Sequence, residues 1–289
     1  MPAAMPSDLR KLLLLVLLVP ALACDNAVEP LADAWDLPER PVQAPPATEL
    51  LEAWESLSLE DRDARIVEQV LSGNVPSWLR KVRTLSLERV SGGDWVPVEI
   101  GVLPDYLAVG SDDDHMLVPM SPQAAQRIAE ATGMMLPTTM LVDEIWSQAE
   151  IRLAPRPIPP TPAMTTLPVF HAHFLNVDAQ RDSLGVPVGA WVAGHKKDVV
   201  LAGKLEDASG RVAIYGWHRT NGQPIQPLYT GHTDRWVDYS HGIRLVTRSI
   251  RIDGKEADLK ELLEDASRAR WFMADGPMTS ASYSTIGTD

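Results

Sequence analysis

The stretch Val82-Arg83-Thr84-Leu85-Ser86-Leu87-Glu88-Arg89-Val90, then Gly92-Gly93-Asp94, then Val96-Pro97-Val98-Glu99-Ile100-Gly101-Val102-Leu103 decides the fold class. Each run alternates apolar with polar residues, and a period of two places the apolar side chains on one face of an extended chain. A glycine-rich break between two such runs reads as an antiparallel hairpin.

Helical patterns stand on either side of this hairpin. Upstream, residues 50–57 and 58–71 read as helices, the second opened by the cap Ser58-Leu59-Glu60-Asp61, striped by Ile66, Val67, Val70 and Leu71, and stopped by Gly73-Asn74. Downstream, 106–109 and 116–118 continue the sheet around Ser111-Asp112-Asp113-Asp114. Ser121-Pro122 then opens a helix through Thr132 that ends at Gly133, and a further helix over 138–152 carries Leu141, Ile145, Trp146 and Ala149 on one face. Residues 49–153 therefore form an N-terminal α+β region.

Five prolines between 154 and 162 mark a strap over 154–163. Beyond it, 169–175, 190–192, 199–201 and 211–215 read as strands, 243–252 as a hairpin ending at Asp253-Gly254, and 255–269 as a closing helix. Residues 164–275 are thus a His-rich, β-dominated region, and the Ser/Thr-rich 276–289 a frayed tail. The expected class is α+β: antiparallel sheet with packed helices, the C-terminal half β-rich.

The N-terminus carries an address. Arg10 and Lys11 precede the apolar run 12–19 and the small-residue exit Pro20-Ala21-Leu22-Ala23-Cys24, the pattern of a secretory signal peptide over 1–23. The apolar run is too short to span a bilayer, which takes roughly 20 residues. The exit resembles a bacterial lipobox, and that resemblance implies lipidation of Cys24 and a membrane-anchored protein facing the periplasm or cell surface. A plain signal peptide cleaved near Ala23 is the alternative. The Asp-, Pro- and Ala-rich 24–48 then reads as an extended tether.

Lys and Arg total 26 against 39 Asp and Glu, a net charge of −13, which gives no electrostatic footprint for nucleic acid. Cys24 is the only cysteine, so the chain has no internal disulfide, no Cys-based zinc site and no thiol nucleophile in its body.

Six of seven histidines fall between His171 and His241. Imidazole moves protons near neutral pH and binds transition metals. In His171-Ala172-His173 strand alternation puts both rings on one face, as two metal ligands or as the wet side of a strand. His195-Lys196-Lys197-Asp198 precedes a buried strand, as a solvated turn or as groups presented at a sheet edge. Ile214-Tyr215-Gly216-Trp217-His218 delivers Trp217 and His218 to a strand end, with Gly216 permitting close approach. Between Gly231 and Arg244, Asp238 is placed to orient a histidine, and Ser240 is a nucleophile candidate whose base is His218 or His232. His241 cannot serve its neighbour Ser240, because adjacent side chains on an extended chain point apart. The acidic run 112–114 lacks the spacing of a calcium loop and reads as solvated.

Two resemblances attach to these residues. Ser240-His241-Gly242-Ile243-Arg244-Leu245, preceded by Tyr215-Gly216-Trp217-His218, resembles the signature of the L,D-transpeptidases of the bacterial wall, with Ile243 in place of the catalytic cysteine. Lys196 to Val200, Ile214 to His218, Pro224-Ile225-Gln226-Pro227 and Asp238 to Leu245, with Pro104-Asp105-Tyr106 and Leu136-Pro137-Thr138, are similar to a family of exported bacterial lipoproteins without an assigned activity. That likeness implies that both halves work as one unit.

The reading that follows is an envelope-anchored hydrolase acting on wall peptide or glycan. His218, His232, Asp238, Ser240 and His241 would be catalytic, and Trp217, Gln226, Trp236, Tyr239 and Arg244 would contact substrate. Three of these histidines with Asp238 would also suit zinc with an open position for water. The alternatives are a non-catalytic lipoprotein that binds a wall fragment or a protein partner, and a periplasmic metal-binding protein.

Overall fold

The computed structural model describes Met1 and residues 35–284, so the expected signal peptide beyond Met1, Cys24, the first part of the expected tether and residues 285–289 lie outside the described residues. The hairpin forms as its alternation dictates: β1 (Arg83–Ser91) and β2 (Asp94–Val102) pair antiparallel from Arg83 opposite Val102 to Ser91 opposite Asp94. Leu85 and Leu87 turn inward, while Ser86 and Glu88 face water.

The other edge of β2 is taken by strands from the far end of the chain. Here β12 (Val246–Thr247) pairs Val246 with Val102, and β13 (Ser249–Ile252) pairs Ile252 with Val98. The sheet is completed by β5 (Met134–Met135) on β12 and by β14 (Lys255–Asp258) on β13. The two halves therefore share one sheet and one apolar core, running from Trp35 through Leu85, Ile100 and Leu136 to Leu245 and Phe272.

A second sheet has the order β10 (Pro224–Tyr229), β9 (Ile214–His218), β8 (Lys197–Val199), β11 (His241–Gly242). Its β8–β11 pair is parallel and the others antiparallel. Two small pairs, β3 (Ala108–Gly110) with β4 (His115–Leu117) and β6 (Ile151–Arg152) with β7 (Val192–Ala193), tie loops to this frame. The class is α+β, with a strand-rich C-terminal half, as expected.

The helices follow their caps. Ser58 accepts from the Asp61 amide to open α2 (Leu59–Leu71), and α1 (Ala47–Trp54) precedes it. Ser121 caps α3 (Pro122–Ala131) through the Ala124 amide, and Thr138 caps α4 (Thr139–Gln148) through the Leu141 amide. The acidic loop 111–114 holds helix starts in place: Asp112 accepts from the Ser77 amide and hydroxyl, and Asp114 from those of Thr48. Among the described residues no helix is long and apolar enough to cross a membrane.

Four expectations are corrected. Residues 169–175 are not a strand; they lie in α5 (Leu167–Leu184). The buried residues Leu167, Phe170, Phe174 and Val177 recur every three or four positions, Pro168 occupies the first turn, and Gly185 at φ 61 ends the helix. The closing helix over 255–269 shrinks to α6 (Leu259–Glu264), because 255–258 pairs as β14 and Asp258 caps the helix behind it. Residues 35–48 are no free tether: Trp35 is buried, and the Arg40 guanidinium donates to Asn74 Oδ1 (2.9 Å) and the Gly110 carbonyl (3.2 Å). The tail to residue 284 is packed, with Tyr283 Oη donating to the Val200 carbonyl at 2.7 Å and accepting from the Ala213 amide at 3.0 Å.

Candidate functional site

The second sheet places the site through an irregularity in β9. Gly216 has φ 100 and Trp217 has φ 55. A positive φ at a bulky residue is a steric outlier that costs on the order of 1–3 kcal/mol. Trp217 is held there by burial, by its indole N–H donating to the His195 carbonyl (3.1 Å), and by Lys197 Nζ 5.2 Å from its ring centre.

The kink has a geometric consequence. On a regular strand, residues three apart point to opposite faces. Here Tyr215 and His218 converge on one carboxylate of α4. His218 Nε2 lies 2.9 Å from Asp143 Oδ1, and the Tyr215 hydroxyl donates to Asp143 Oδ1 (2.9 Å) and Oδ2 (3.2 Å). The His218 ring is almost wholly covered, stacked on Trp146 with centres 5.7 Å apart, whereas the Asp143 side chain is 52% exposed. A buried imidazole thus stands behind a solvent-facing carboxylate.

Behind the imidazole lies a second carboxylate. Asp198 is buried and accepts from the Tyr106 hydroxyl at 2.9 Å. Burial pushes its pKa up to about 6, although Arg244, Tyr106 and His218 work against that rise. Gly216 supplies the space between the two groups. A β-carbon there would stand 3.3 Å from His218 Nδ1 and 3.4 Å from Asp198 Oδ2. Tyr106, Trp146, Gly194, Asp198, His218 and Arg244 line a crevice too tight to admit a water molecule.

Arg244, expected to contact substrate, is instead a structural cation. It is fully buried, donates to the Leu103 (2.9 Å) and Val192 (2.7 Å) carbonyls, and lies over the Tyr106 ring at 4.4 Å. A further buried polar layer lies alongside. Burial would raise the Asp105 pKa, but Arg181 and His195 beside it hold it well below the carboxylate range. Lys196 Nζ donates to the Tyr239 carbonyl (2.6 Å) and sits 3.1 Å from His173 Nδ1. Burial lowers its pKa to about 7, with Asp238 and Asp105 opposing. Burial, then Lys196, drives the His173 pKa far below its ordinary value, so the ring is a neutral acceptor.

The remaining expected residues do not join His218. His241 and Gly216 both pair with Lys197 from opposite edges of β8, two inter-strand spacings or about 10 Å apart, and His218 lies two residues farther along. Ser240 is no triad nucleophile: its hydroxyl lies 2.5 Å from Asp238 Oδ1 and its amide donates there at 2.8 Å, an Asx turn closed on itself. Asp238 serves that turn and the Trp236 indole (3.2 Å) rather than orienting a catalytic histidine. His241 Nε2 is 3.8 Å from Asp238 Oδ2, and both ring nitrogens are buried without a hydrogen-bond partner. Burial lowers its pKa to about 4, with Asp238 opposing, so it is a neutral core group.

His232 is half-buried and stacked on Trp236, centres 5.0 Å apart, outside the cleft. Gln226 donates to the Pro227 carbonyl (2.9 Å). Tyr239 accepts from the Ile158 amide (3.0 Å) and donates to its carbonyl (3.2 Å), which fastens the proline-rich strap. His171 and His173, two positions apart on a helix, point about 200° apart and form no ligand pair. Among the described residues no three His, Cys, Asp or Glu side chains are grouped to hold a metal, so the three-histidine zinc arrangement does not assemble.

Asp143 carried no signal in the chain, being one acidic residue on the polar side of an amphipathic helix. Tyr106 and Asp198 stood in quoted motifs, but nothing in the order of residues joined them to His218. No family model, no curated protein and no solved structure matches this chain, so the site rests on its own geometry.

Proposed function

We propose that this protein is an exported, membrane-tethered hydrolase of the cell envelope that uses Asp143, backed by His218, as its acid–base group on wall peptide or glycan. One observation carries the reading: a half-exposed carboxylate receives both a buried imidazole at 2.9 Å and a tyrosine hydroxyl, from a strand kinked at the cost of backbone strain. Strain of this kind clusters where a side chain has to be aimed. In the reaction, Asp143 takes a proton from a water molecule as that water attacks the scissile centre, and returns it to the leaving group. His218 and Tyr215 hold the carboxylate in one orientation. The signal-like N-terminus and lipobox resemblance support the envelope location.

Purified protein incubated with isolated wall sacculi is expected to release soluble fragments, detected by mass spectrometry. Asp143→Asn and His218→Ala should lower the rate by about 100-fold or more, the scale of a lost acid–base group. Failure of the wild type to release any fragment overturns the hydrolase. The crevice behind His218 has no room for a water molecule, so only the exposed side of Asp143 can meet a substrate. This favours a second reading, in which the protein holds wall material at its surface without cutting it, and sacculi would then retain the protein intact.

A further inference from the structure

Each ring nitrogen of His218 has a carboxylate on its side. Nε2 stands 2.9 Å from Asp143 Oδ1 at the solvent face. Nδ1 faces inward across the space left by Gly216, where a β-carbon would lie 3.3 Å from Nδ1 and 3.4 Å from Asp198 Oδ2. A neutral imidazole has one N–H to give and one lone pair, whereas an imidazolium gives two N–H groups. A ring set between two carboxylates in this way suits the doubly protonated form.

The inner carboxylate is poorly supplied by the rest of its surroundings. Asp198 is buried, and among the described residues its side-chain donor is the Tyr106 hydroxyl, at 2.9 Å. Arg244 aims its guanidinium at the Leu103 and Val192 carbonyls. The two lysines that precede Asp198 turn elsewhere, Lys196 Nζ to His173 and the Tyr239 carbonyl, Lys197 Nζ over the Trp217 ring. The crevice shared by Asp198 and His218 admits no water to screen one from the other. A buried carboxylate with one neutral donor is costly to ionise unless a positive charge faces it. Burial pushes the Asp198 pKa up to about 6, with Arg244, Tyr106 and His218 opposing and Asp143 adding to the rise. Its charge thus changes in the range where imidazole changes its own. The other charged or titratable groups about the ring are Tyr215, whose hydroxyl goes to Asp143, and Arg152, which lies 4.8 Å from the centre of the Trp146 ring stacked on His218.

We propose that Asp198 is a positioning residue that holds His218 as an imidazolium, so that the solvent-facing Asp143 is fixed by a charge-assisted N–H in its ionised, proton-accepting form. The use of Asp143 as a proton acceptor rests on the hydrolase reading above. The effect of Asp198 on the ring does not.

The test uses the full chain with isotopically labelled histidine, and follows the two ring nitrogens of His218 by NMR across the pH range. Asp198→Asn keeps the shape and an acceptor for Tyr106 while removing the charge. In it, the His218 ring should lose its second proton at a pH lower than in wild type by about one unit or more, the effect of an opposite charge at close range. The His232 ring, stacked on Trp236, is the internal control and should stay unmoved. Asp198→Ser, smaller and also neutral, gives the same reading if the amide variant does not fold. A purely structural Asp198 would alter the melting temperature and leave the ring where it is. The proposal is overturned if His218 titrates in the folded variant as it does in wild type, or if it shifts upward. Fragment release from sacculi is measured on the same samples. A displaced ring with no cleavage by wild type leaves Asp198 its role and removes the hydrolase. Cleavage by wild type with an unmoved ring in the variants does the reverse.

Discussion

Asp198 and His218 face one another across the missing side chain of Gly216, whose β-carbon would stand within 3.4 Å of both. The exposed Asp143 on the far side of the imidazole completes a row of two carboxylates with a histidine between them. The position of the His218 ring behind Asp143 depends on that spacing.

Gly216→Ala tests it directly. The residue has φ 100, a conformation that alanine adopts only under strain, and the added carbon would press on His218, Asp198 and Val142. A loss of more than about 1 kcal/mol is expected in denaturant unfolding, together with a displaced His218 ring signal in NMR. A variant as stable as wild type with an unmoved ring would show that the gap is incidental.

Asp143→Asn should separate function from folding. The side chain is half-exposed, and a hydrogen bond of this kind contributes about 1 kcal/mol net. The melting temperature is expected to stay within a few degrees while fragment release from sacculi collapses. Full activity in this variant would remove Asp143 from the chemistry.

Ser240→Ala should do the opposite of what a nucleophile's loss would do. Its hydroxyl closes an Asx turn with Asp238, worth about 1 kcal/mol. Stability falls by that order and turnover persists. Abolished turnover in a folded variant would reinstate Ser240 as a reacting group.

Arg244→Ala should be the most damaging single change among these. It strands the Leu103 and Val192 carbonyls and removes the buried cation that opposes the rise in the Asp198 pKa. Breaking a buried charge arrangement typically costs about 3–5 kcal/mol. Arg244→Lys keeps the charge but loses the planar fork that reaches both carbonyls, so an intermediate loss is expected. Urea midpoints of the three proteins check the order.

Acid should destabilise the fold before any carboxylate is neutralised in bulk. His195 and His241 are buried as neutral rings, burial lowering both to about 4 against the opposing pull of Asp105 and Asp238. The unfolded chain therefore binds more protons than the folded one between about 6.5 and 4. Stability is complete above that window and is lost as pH falls through it, by up to about 3 kcal/mol per ring. Asp198 acts in the other direction: its raised value adds stability at low pH that is lost as pH rises through about 6. The two histidines, joined by the still more depressed His173, outweigh it. The urea midpoint at pH 4.5 should lie below that at pH 7.5, and an equal or higher midpoint would contradict the neutral burial of these rings.

Local rules made much of the fold legible. The hairpin of β1 and β2, the caps at Ser58, Ser121 and Thr138, and the stop at Gly133 are decided by neighbours within a few residues. The error at 169–175 has a local cause too. Val169, Phe170, Phe174 and Leu175 have strand propensity or bulk, and the helical spacing of Leu167, Phe170, Phe174 and Val177 is visible only over a longer window. The site was half legible. A glycine beside Trp217 and His218 pointed to a strand end with chemistry, but the crowding of histidines suggested one centre where there are several environments. His173, His195 and His241 are core groups, and His232 belongs to a surface row.

By itself, the sequence determined the α+β class, the principal hairpin, the helix caps, the acidic charge and the confinement of cysteine to position 24, because each depends on composition or on residues close in the chain. The tertiary structure alone decided that Asp143 meets His218, that Asp198 lies behind it, and that Arg244 is a buried support. Those groups are separated by up to about a hundred positions. They are brought together by α4 packing against a kinked β9 and by strands of both halves sharing β2, and such long-range pairings leave no periodic trace in the order of residues.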